Sequence, residues 1–330
     1  MRHSFGPLSQ WSCAAALVAC TVLVASLTTH DSARWRLLTT GDHPHTPAFL
    51  AVNFTDADHG WGLTPSTLFE TNDGGRNWVP RIEENGPQRT FFALEFIDPA
   101  TGFIVGSQQK GTDRSLMILR TDDAGLSWQD SQIKAKAESR ALLQAVSFCD
   151  AEVGWAAGSN VILKTTDGGQ SWEMRHSSPE EVFYSVACQS SERAWAVGRN
   201  GLIVYTKDGG RTWLRQPSGT AESLTRVRAI GEELWIVGGL QSKGVLLHSD
   251  GTNWESQPTP DLGALFDIYV NGSLGWVVGA NGTVLQTTNG GRTWERQQTP
   301  TKNNLMCLFF LSPHEVWAGG DRRTLLRLTE

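Results

Sequence analysis

The octet TTDGGQSW at residues 165–172 decides the fold, because five related segments recur along the chain. The other copies are TNDGGRNW (71–78), TDDAGLSW (121–128), TKDGGRTW (206–213), HSDGTNW (248–254, one residue shorter) and TTNGGRTW (287–294). Their closing tryptophans are spaced 50, 44, 41, 41 and 40 residues apart. Self-similarity at such a period is typical of solenoids, propellers and other repeat architectures.

A second signature precedes each octet and consists of an aromatic residue followed by small or apolar residues. Its seven occurrences begin at Trp61, Phe103, Trp155, Trp195, Trp235, Trp276 and Trp317. Turn residues separate four short stretches in each unit, which in the third unit are LQAVSFCD, VGWAAG, VILKTTD and SWEMRH. Four short strands repeated at this period indicate the blades of an all-β propeller.

The last unit has a second signature but no octet, since the chain reaches Glu330 after its third strand. The segment ARWRLL around Trp35 can supply the missing fourth strand from the other end of the chain. A ring closed in this way has no exposed sheet edge. The repeat count therefore predicts one domain over residues 34–330, a seven-bladed β-propeller whose last blade is completed by the N-terminal strand.

We expect the octets to hold hairpins together rather than to bind ligands. The acidic side chain can accept hydrogen bonds from the turn backbone, glycine supplies a positive φ, and the tryptophan packs on neighbouring apolar residues. An amide replaces the carboxylate in the last copy, which argues against a metal site, and no copy has the spacing of a calcium loop. These structural positions are Asp73, Asp123, Asp167, Asp208, Asp250 and Asn289.

Residues 1–33 are typical of a signal peptide, a lipoprotein signal or a membrane anchor. Arg2 precedes an uncharged run at 11–27, and LVAC at 17–20 resembles a lipobox with Cys20 as the lipidated residue. The residues after Cys20 stay apolar, which is unusual for a lipoprotein. Lipoprotein, uncleaved anchor and cleaved signal peptide remain open, and each places the propeller on the periplasmic, lumenal or other extracytoplasmic side of a membrane.

Composition excludes a bulk nucleic-acid binder, because the formal net charge is −6 and only 19% of residues are charged. The cysteines at 149, 188 and 307 lack the spacing of a zinc site. Cys149 and Cys188 lie on neighbouring repeats and can form a disulfide, but burial of both as small apolar side chains is favoured. No metal or cofactor is expected.

Basic residues are concentrated between positions 193 and 228, a segment that contains seven arginines and lysines but only two acidic residues. Strand order places Arg199 and Arg215 on the face of the second-to-third turns, whereas Arg76, Arg211 and Arg292 project from octets on the opposite face. Arg226 and Arg228 fall in a first strand, which lines the central channel together with Glu95 and Asp267 from other units. The sequence therefore predicts that the mouth of the channel is hydrated and charged, because polar residues there must be solvated or paired.

The octets match the Asp-box, or BNR, pattern, and the chain resembles the photosystem II stability/assembly factor family. The resemblance rests on the octets, the G-W-x-x-G second strands and the exported N-terminus, and it covers about residues 34–330. It implies a non-enzymatic, membrane-associated propeller that binds membrane protein subunits or assembly intermediates through an arginine-rich face. The candidates for a comparable docking patch are Arg199, Arg215, Arg226 and Arg228. Arg76, Arg211 and Arg292 on the octet face are further candidates for contact with a partner.

The alternative is a carbohydrate-active or carbohydrate-binding Asp-box propeller of the sialidase or xyloglucanase type. A sialidase needs a tyrosine nucleophile, but Tyr184, Tyr205 and Tyr269 all fall in strands where packing explains them. A glycosidase carboxylate pair could include Asp261 or Asp267. HExxH, GxSxG and phosphate-binding glycine loops are absent from the sequence, so no catalytic residue is predicted.

Overall fold

The computed structural model describes residues 34–41, 43, 45–84, 88–134, 141–239, 243–260 and 262–329. The expected leader with Cys20 lies outside these residues. The described part is built from β-strands and short turns, with 3-10 turns at Arg199–Gly201, Ala280–Gly282 and Asp321–Arg323. In this part of the chain, no helix is both long and apolar enough to cross a bilayer.

Five four-stranded antiparallel sheets form separate blades, named A to E. Strand β1 (Arg34–Thr39) belongs to the last of them. Blade A contains β2 (Ala51–Phe54), β3 (Gly60–Leu63), β4 (Thr67–Thr71) and β5 (Val79–Glu83). Blade B contains β6 (Arg89–Phe96), β7 (Gly102–Lys110), β8 (Asp113–Thr121) and β9 (Gln129–Asp130).

A seven-stranded sheet, named the fused sheet, follows blade B. It contains β10 (Gln132–Lys134), β11 (Leu143–Phe148), β12 (Gly154–Thr165), β13 (Ser171–Cys188), β14 (Ala194–Gly198), β15 (Ile203–Thr206) and β16 (Leu214–Arg215).

Three further blades complete the described strands. Blade C contains β17 (Leu224–Ile230), β18 (Glu233–Gly238), β19 (Val245–Ser249) and β20 (Glu255–Ser256). Blade D contains β21 (Leu265–Asn271), β22 (Leu274–Gly279), β23 (Val284–Thr287) and β24 (Glu295–Arg296). Blade E contains β25 (Leu305–Ser312), β26 (Glu315–Gly320) and β27 (Thr324–Thr329), and β1 pairs with β27 as its fourth strand.

The all-β propeller architecture is confirmed, but the predicted count of seven separate blades is wrong. The described residues form five four-stranded blades, and the third and fourth repeat units share the fused sheet. The cause is β13, an uninterrupted strand of 18 residues. Its first half pairs with β12 and its second half with β14, so the outer strand of one unit continues directly into the inner strand of the next.

The closing strand lies where the repeat pattern places it. Trp35 is opposite Leu328 in the β1–β27 ladder, and its side chain is buried among the apolar residues of blades D and E. The first and last strands of the propeller are thereby joined within one sheet. Because β1 covers the outer edge of β27, β27 is not left as an unpaired edge strand.

The two sequence signatures interlock across neighbouring repeats. In four of the octets, the glycine at the fifth position has a positive φ and faces the signature aromatic residue of the preceding repeat. A Cβ on Gly169 would lie 2.2 Å from Phe103, and one on Gly291 would lie 2.1 Å from Trp235. These contacts leave no room for a side chain. The second strands are covered on both sides, so they read as continuous apolar runs, as in the fully buried β14.

The octets are closed by a repeated set of hydrogen bonds. In the third copy, the Asp167 carboxylate accepts from the Thr165 hydroxyl at 2.8 Å, from Ser171 N at 2.9 Å and from the Ser171 hydroxyl at 2.6 Å. Asn289 reproduces this geometry with an amide, since its Oδ1 accepts from Thr293 N at 3.0 Å and its Nδ2 donates to the Thr293 hydroxyl at 2.8 Å. In the shortened copy, Asp250 retains a bond from Thr252 N at 3.0 Å.

A charged central channel as the candidate functional site

The first strand of every repeat unit contributes to one cavity of about 330 Å³ at the centre of the propeller. Two rings of side chains line it, and strand register defines both. The upper ring lies opposite the signature aromatic residues and consists of Asn53, Glu95, Ser147, Ala187, Arg228, Tyr269 and Phe309. The lower ring lies two residues earlier and consists of Ala51, Ala93, Ala145, Ser185, Arg226, Asp267 and Cys307. Of these, Ala145 is buried behind the cavity lining.

The upper ring is the one nearer the octets. Each first strand leaves the upper ring towards the turn before the second strand, and that turn contacts an octet; Gly168 N donates to Glu152 O at 2.9 Å and Gly209 N to Glu192 O at 3.0 Å. Just before the lower ring, a register irregularity precedes residues such as Ala145, Arg226 and Asp267. A bulge at this place re-aims the following side chain.

Asp267 is the centre of an ion-pair network in the channel. Its side chain is 1% exposed and lies 3.2 Å from Arg226 Nε and 3.1 Å from Arg228 Nη2. It also accepts hydrogen bonds from Ile268 N at 2.9 Å and Leu308 N at 3.0 Å. Burial opposes ionisation, but the two guanidiniums and the backbone donors hold the pKa of Asp267 below its ordinary value.

Glu95 supplies a second carboxyl group to the channel from blade B. Its Oε1 accepts a bond from Phe148 N at 3.4 Å, whereas its buried Oε2 has no partner among the described residues. Burial raises the pKa of Glu95 to about 7, against the lowering effects of the Phe148 N–H and of Arg228 and Arg226. Near neutral pH, the channel therefore contains two guanidiniums, one ionised carboxylate and one half-protonated carboxyl group.

Ring side chains also link neighbouring repeats. Ser147 Oγ accepts from Cys188 N and Ser185 Oγ accepts from Val227 N, both at 3.2 Å. Asp267 and Glu95 make the equivalent contacts to Leu308 N and Phe148 N. Polar ring residues therefore satisfy backbone donors of the next inner strand as well as lining the cavity.

The four arginines expected to form one docking patch are divided between two cavities. Arg226 and Arg228 line the central channel, whereas Arg199 and Arg215 line a separate pocket of about 540 Å³ on the side of the second-to-third turns. Both arginines of this outer pocket are exposed. Arg215 Nη2 lies 2.5 Å from the buried Glu181, and Arg199 makes no ion pair with a described residue.

The arginines of the octets are exposed on loops. Arg76 Nη1 donates to Asp73 O at 2.8 Å, so this side chain is folded back on its own octet. Arg292 lines a pocket of about 470 Å³ that also contains Glu233 and His248, and Arg211 lies on the octet between β15 and β16.

The expectation that Cys149 and Cys188 are buried as free apolar side chains is wrong, since the structure joins them in a disulfide. They follow the upper-ring positions of two adjacent inner strands, where the Cα atoms are 5.1 Å apart, within the range a disulfide spans. Cys307 is free and buried in the lower ring, and burial raises the pKa of its thiol to about 12, which makes it a poor nucleophile.

Sequence reasoning placed Arg226, Arg228, Glu95 and Asp267 in the channel but missed Tyr269. Tyr269 stacks on Phe310 with ring centroids 4.5 Å apart and lines the channel in the upper ring. Its position two residues after Asp267 in the same strand was the available signal, because alternate residues share a face.

Little in the described residues resembles glycosidase or metal chemistry. Tyr205 stacks on Trp195, and Asp261 lies outside the described residues. Asp267 is ionised and held by two arginines, so it is a poor proton donor. Within the described ranges, no group of three or more His, Cys, Asp or Glu side chains could hold a metal ion.

The sequence profile of the family described as Photosynthesis system II assembly factor YCF48 matches residues 82–180 and 176–262 of this chain. These matches span more than half of the 330 residues. Together with the Asp-box octets and the propeller, they show that the chain belongs to this family.

Three individual proteins illustrate the similarity. The Photosystem II assembly lipoprotein Ycf48 of Synechococcus sp. (strain CC9902) is 36% identical over 80 residues, which cover 24% of this chain and 22% of that protein. The chain thus matches about a fifth of the length of this curated relative. The solved structure described as YCF48 bound to D1 peptide has a TM-score of 0.70 at 22% identity, covering 90% of this chain and 95% of that one.

A xyloglucanase from Xanthomonas campestris shares the fold with a TM-score of 0.68 at 10% identity, covering 89% of this chain and 53% of that one. At such identities, the solved structures establish the likeness of fold alone.

Proposed function

We propose that this protein is a non-enzymatic, exported assembly factor that binds membrane protein subunits of a photosystem II-type complex. The observation that carries the proposal is the family match over residues 82–262. It is supported by the relative whose structure is described as bound to a D1 peptide. Glycosidase function is not favoured, since the xyloglucanase likeness concerns only the fold and the channel carboxylates are arranged as an ion-pair network.

The outer pocket is the proposed docking surface for such subunits. Arg199 and Arg215 are exposed there, and Arg199 lacks an ion-pair partner among the described residues. Exposed cations steer acidic partners and set orientation, although rim charges contribute modestly to affinity. The channel arginines are less available, because both pair with Asp267.

A pull-down from solubilised photosynthetic membranes tests the docking surface. The double variant Arg199→Glu/Arg215→Glu should lose most recovery of photosystem II subunits, identified by mass spectrometry. Arg76→Glu/Arg292→Glu introduces the same charges on the octet loops and should retain it. Equal recovery by both variants would remove the outer pocket from the proposal, and absence of photosystem subunits from the wild-type eluate would contradict the proposed function itself.

The N-terminal segment is proposed to tether the propeller to a membrane. The curated relative is described as a lipoprotein, and LVAC at 17–20 offers Cys20 for lipidation. Metabolic labelling with palmitate should label the wild-type chain and not Cys20→Ala. A wild-type chain that fractionates with membranes without label would instead indicate the uncleaved anchor.

A further inference from the structure

The central channel has more hydrogen-bond donors than acceptors. Asp267 accepts hydrogen bonds from Arg228 Nη2. Arg226 Nε lies 3.2 Å from Asp267 without forming a hydrogen bond, and the terminal nitrogens of Arg226 have no hydrogen-bond partner among the described residues. The buried Nε of Arg228 is also without one. The side chains of Arg226 and Arg228 are 23% and 36% exposed, and both line the cavity, so a ligand in the cavity can reach them.

The remaining polar groups of the cavity add to this surplus. Tyr269 is half-buried and lines the cavity, and Ser185 accepts a backbone N–H, which leaves its own hydroxyl hydrogen to donate. Glu95 has a buried oxygen without a partner, and its protonated form is also a donor. Two cations thus face one permanently ionised carboxylate, which favours an anionic ligand.

The geometry points to a binding site for a carboxylate in the central channel, held by Arg226 and Arg228, whose occupation leaves Glu95 protonated. A guanidinium with free terminal nitrogens matches a carboxylate through two parallel hydrogen bonds. The cavity of about 330 Å³ suits the end of a chain or a small acid, and Phe309 and Phe310 give it an apolar wall.

Proton uptake follows from the charged and titratable groups that line the cavity with Glu95. These are Arg226 and Arg228 from β17, Asp267 and Tyr269 from β21, and Cys307 from β25. The strands packed directly on β6, namely β2, β3 and β11, bring no titratable side chain, and β7 brings only Lys110 at its far end. A second anion among these groups disfavours ionised Glu95, so a bound carboxylate and a proton enter together.

The proposal does not depend on the identity of any assembly partner. A polypeptide C-terminus, an Asp or Glu side chain and a free organic acid all present the same group. Three probes separate these sources, namely phenylacetate, the tripeptide Gly-Gly-Phe with a free C-terminus, and acetyl-Gly-Asp-Phe-amide.

Calorimetric titration of the folded chain tests the site. Phenylacetate should bind at pH 6, while phenylacetamide, its neutral analogue, should not. Above pH 7 the dissociation constant should rise about tenfold per pH unit, as linkage to one proton requires. Above pH 7, where binding takes up a proton, the heat should also vary with the ionisation enthalpy of the buffer. Equal binding of the amide, or no saturable binding of any of the three acids, would overturn the proposal.

Variants locate the effect in the channel. Arg226→Lys keeps a cation beside Asp267 but removes the planar fork, and it should weaken phenylacetate binding about tenfold or more, the loss expected for a charge-assisted hydrogen bond. Glu95→Gln should bind with an affinity independent of pH between 6 and 9, whereas Glu255→Gln, on the exposed strand β20, should behave as wild type. A pH-independent wild type would exclude coupling to Glu95. Loss of phenylacetate binding with partner recovery intact would leave the proposed function standing.

Discussion

The octet loops and the channel rings belong to the same repeats, but they differ in how much their sequences vary. The octets repeat one solution, in which a threonine and an acidic or amide side chain bond the turn and a glycine packs on an aromatic residue. The upper ring carries a different residue type in each of its seven positions, from Ala187 to Arg228. Each octet closes the same kind of hairpin within its own sheet, so its residues can repeat. Ring residues from different repeats face one another across a shared cavity, so each position has different neighbours.

This difference separates the octets, which hold the strands of each sheet together, from the channel rings, which carry the charged groups. A charge in one ring position is stabilised by a charge from another repeat, as Asp267 of blade D is by Arg226 and Arg228 of blade C. The octets contain their own partners, so changing one should have a small, local effect. Changes in the channel should be larger and should depend on pH.

The largest effect is expected for Asp267→Asn. It leaves the two guanidiniums without their counter-charge in a buried setting, which costs about 3–5 kcal/mol of unfolding free energy. Urea denaturation at pH 7 measures the loss. Because the pKa of Asp267 is lowered in the folded state, the wild-type advantage should be present at neutral pH and decline as the pH falls into the acid range. Asp250→Asn, in the shortened octet, is the control, and equal losses in the two variants would show that the channel network is no more important than an octet.

The next effect concerns the disulfide that joins the inner strands of the fused sheet. Cys149 and Cys188 are 39 residues apart, and closing a loop of that length stabilises the folded state by about 2–4 kcal/mol. The double variant Cys149→Ala/Cys188→Ala should unfold at lower urea by that amount. Wild-type protein measured with a thiol reductant should match it, and a reductant-insensitive wild type with normal stability would contradict a stabilising role.

Much of this architecture could be predicted from residues alone. The period fixed the strand order within a unit, so Trp35 was assigned to the closing strand and Arg226, Arg228, Glu95 and Asp267 to the channel. Period-2 side-chain alternation carries that information. The octet hairpins were equally readable, because their bonds are local.

What could not be predicted depends on how separate units meet. In the structure, β13 continues from its pairing with β12 at Ser177 and Val182 into its pairing with β14 from Phe183 onwards. In the sequence, the polar segment with Pro179 reads as a linker. The disulfide depends on the 5.1 Å approach of two Cα atoms from different units. The four basic residues grouped by sequence were divided because Arg199 and Arg215 follow turns and outer strands, while Arg226 and Arg228 point into the ring.

A smaller, pH-dependent effect is expected for Glu95→Gln. Because the pKa of Glu95 rises from an ordinary 4.5 to about 7 on folding, its stabilising contribution is complete below pH 4.5 and is lost as the pH rises through 7. The glutamine variant has no charge to bury, so above pH 8 it should be more stable than wild type by up to about 3 kcal/mol. The two should converge below pH 4.5. Glu255→Gln should follow the wild-type curve, and parallel curves for Glu95→Gln and wild type would refute the buried, proton-holding role of Glu95.

The smallest effect is expected for Asp208→Asn in the fourth octet. Its carboxylate accepts from Thr212 N at 2.9 Å and from the Thr212 hydroxyl at 2.6 Å. An asparagine can keep the first bond and reverse the second by donating to the hydroxyl, which is the arrangement that Asn289 and Thr293 already show at 3.0 Å and 2.8 Å. The thermal midpoint should therefore stay within about 1 °C of wild type, below the shift that a loss of 1 kcal/mol produces in a domain of this size. Asp208→Leu removes both bonds and should lower the midpoint measurably, which shows that the assay can detect an octet defect. A large drop for the asparagine variant would mean that the octet needs its negative charge. Another interaction in blade D would then have to offset the missing charge at Asn289.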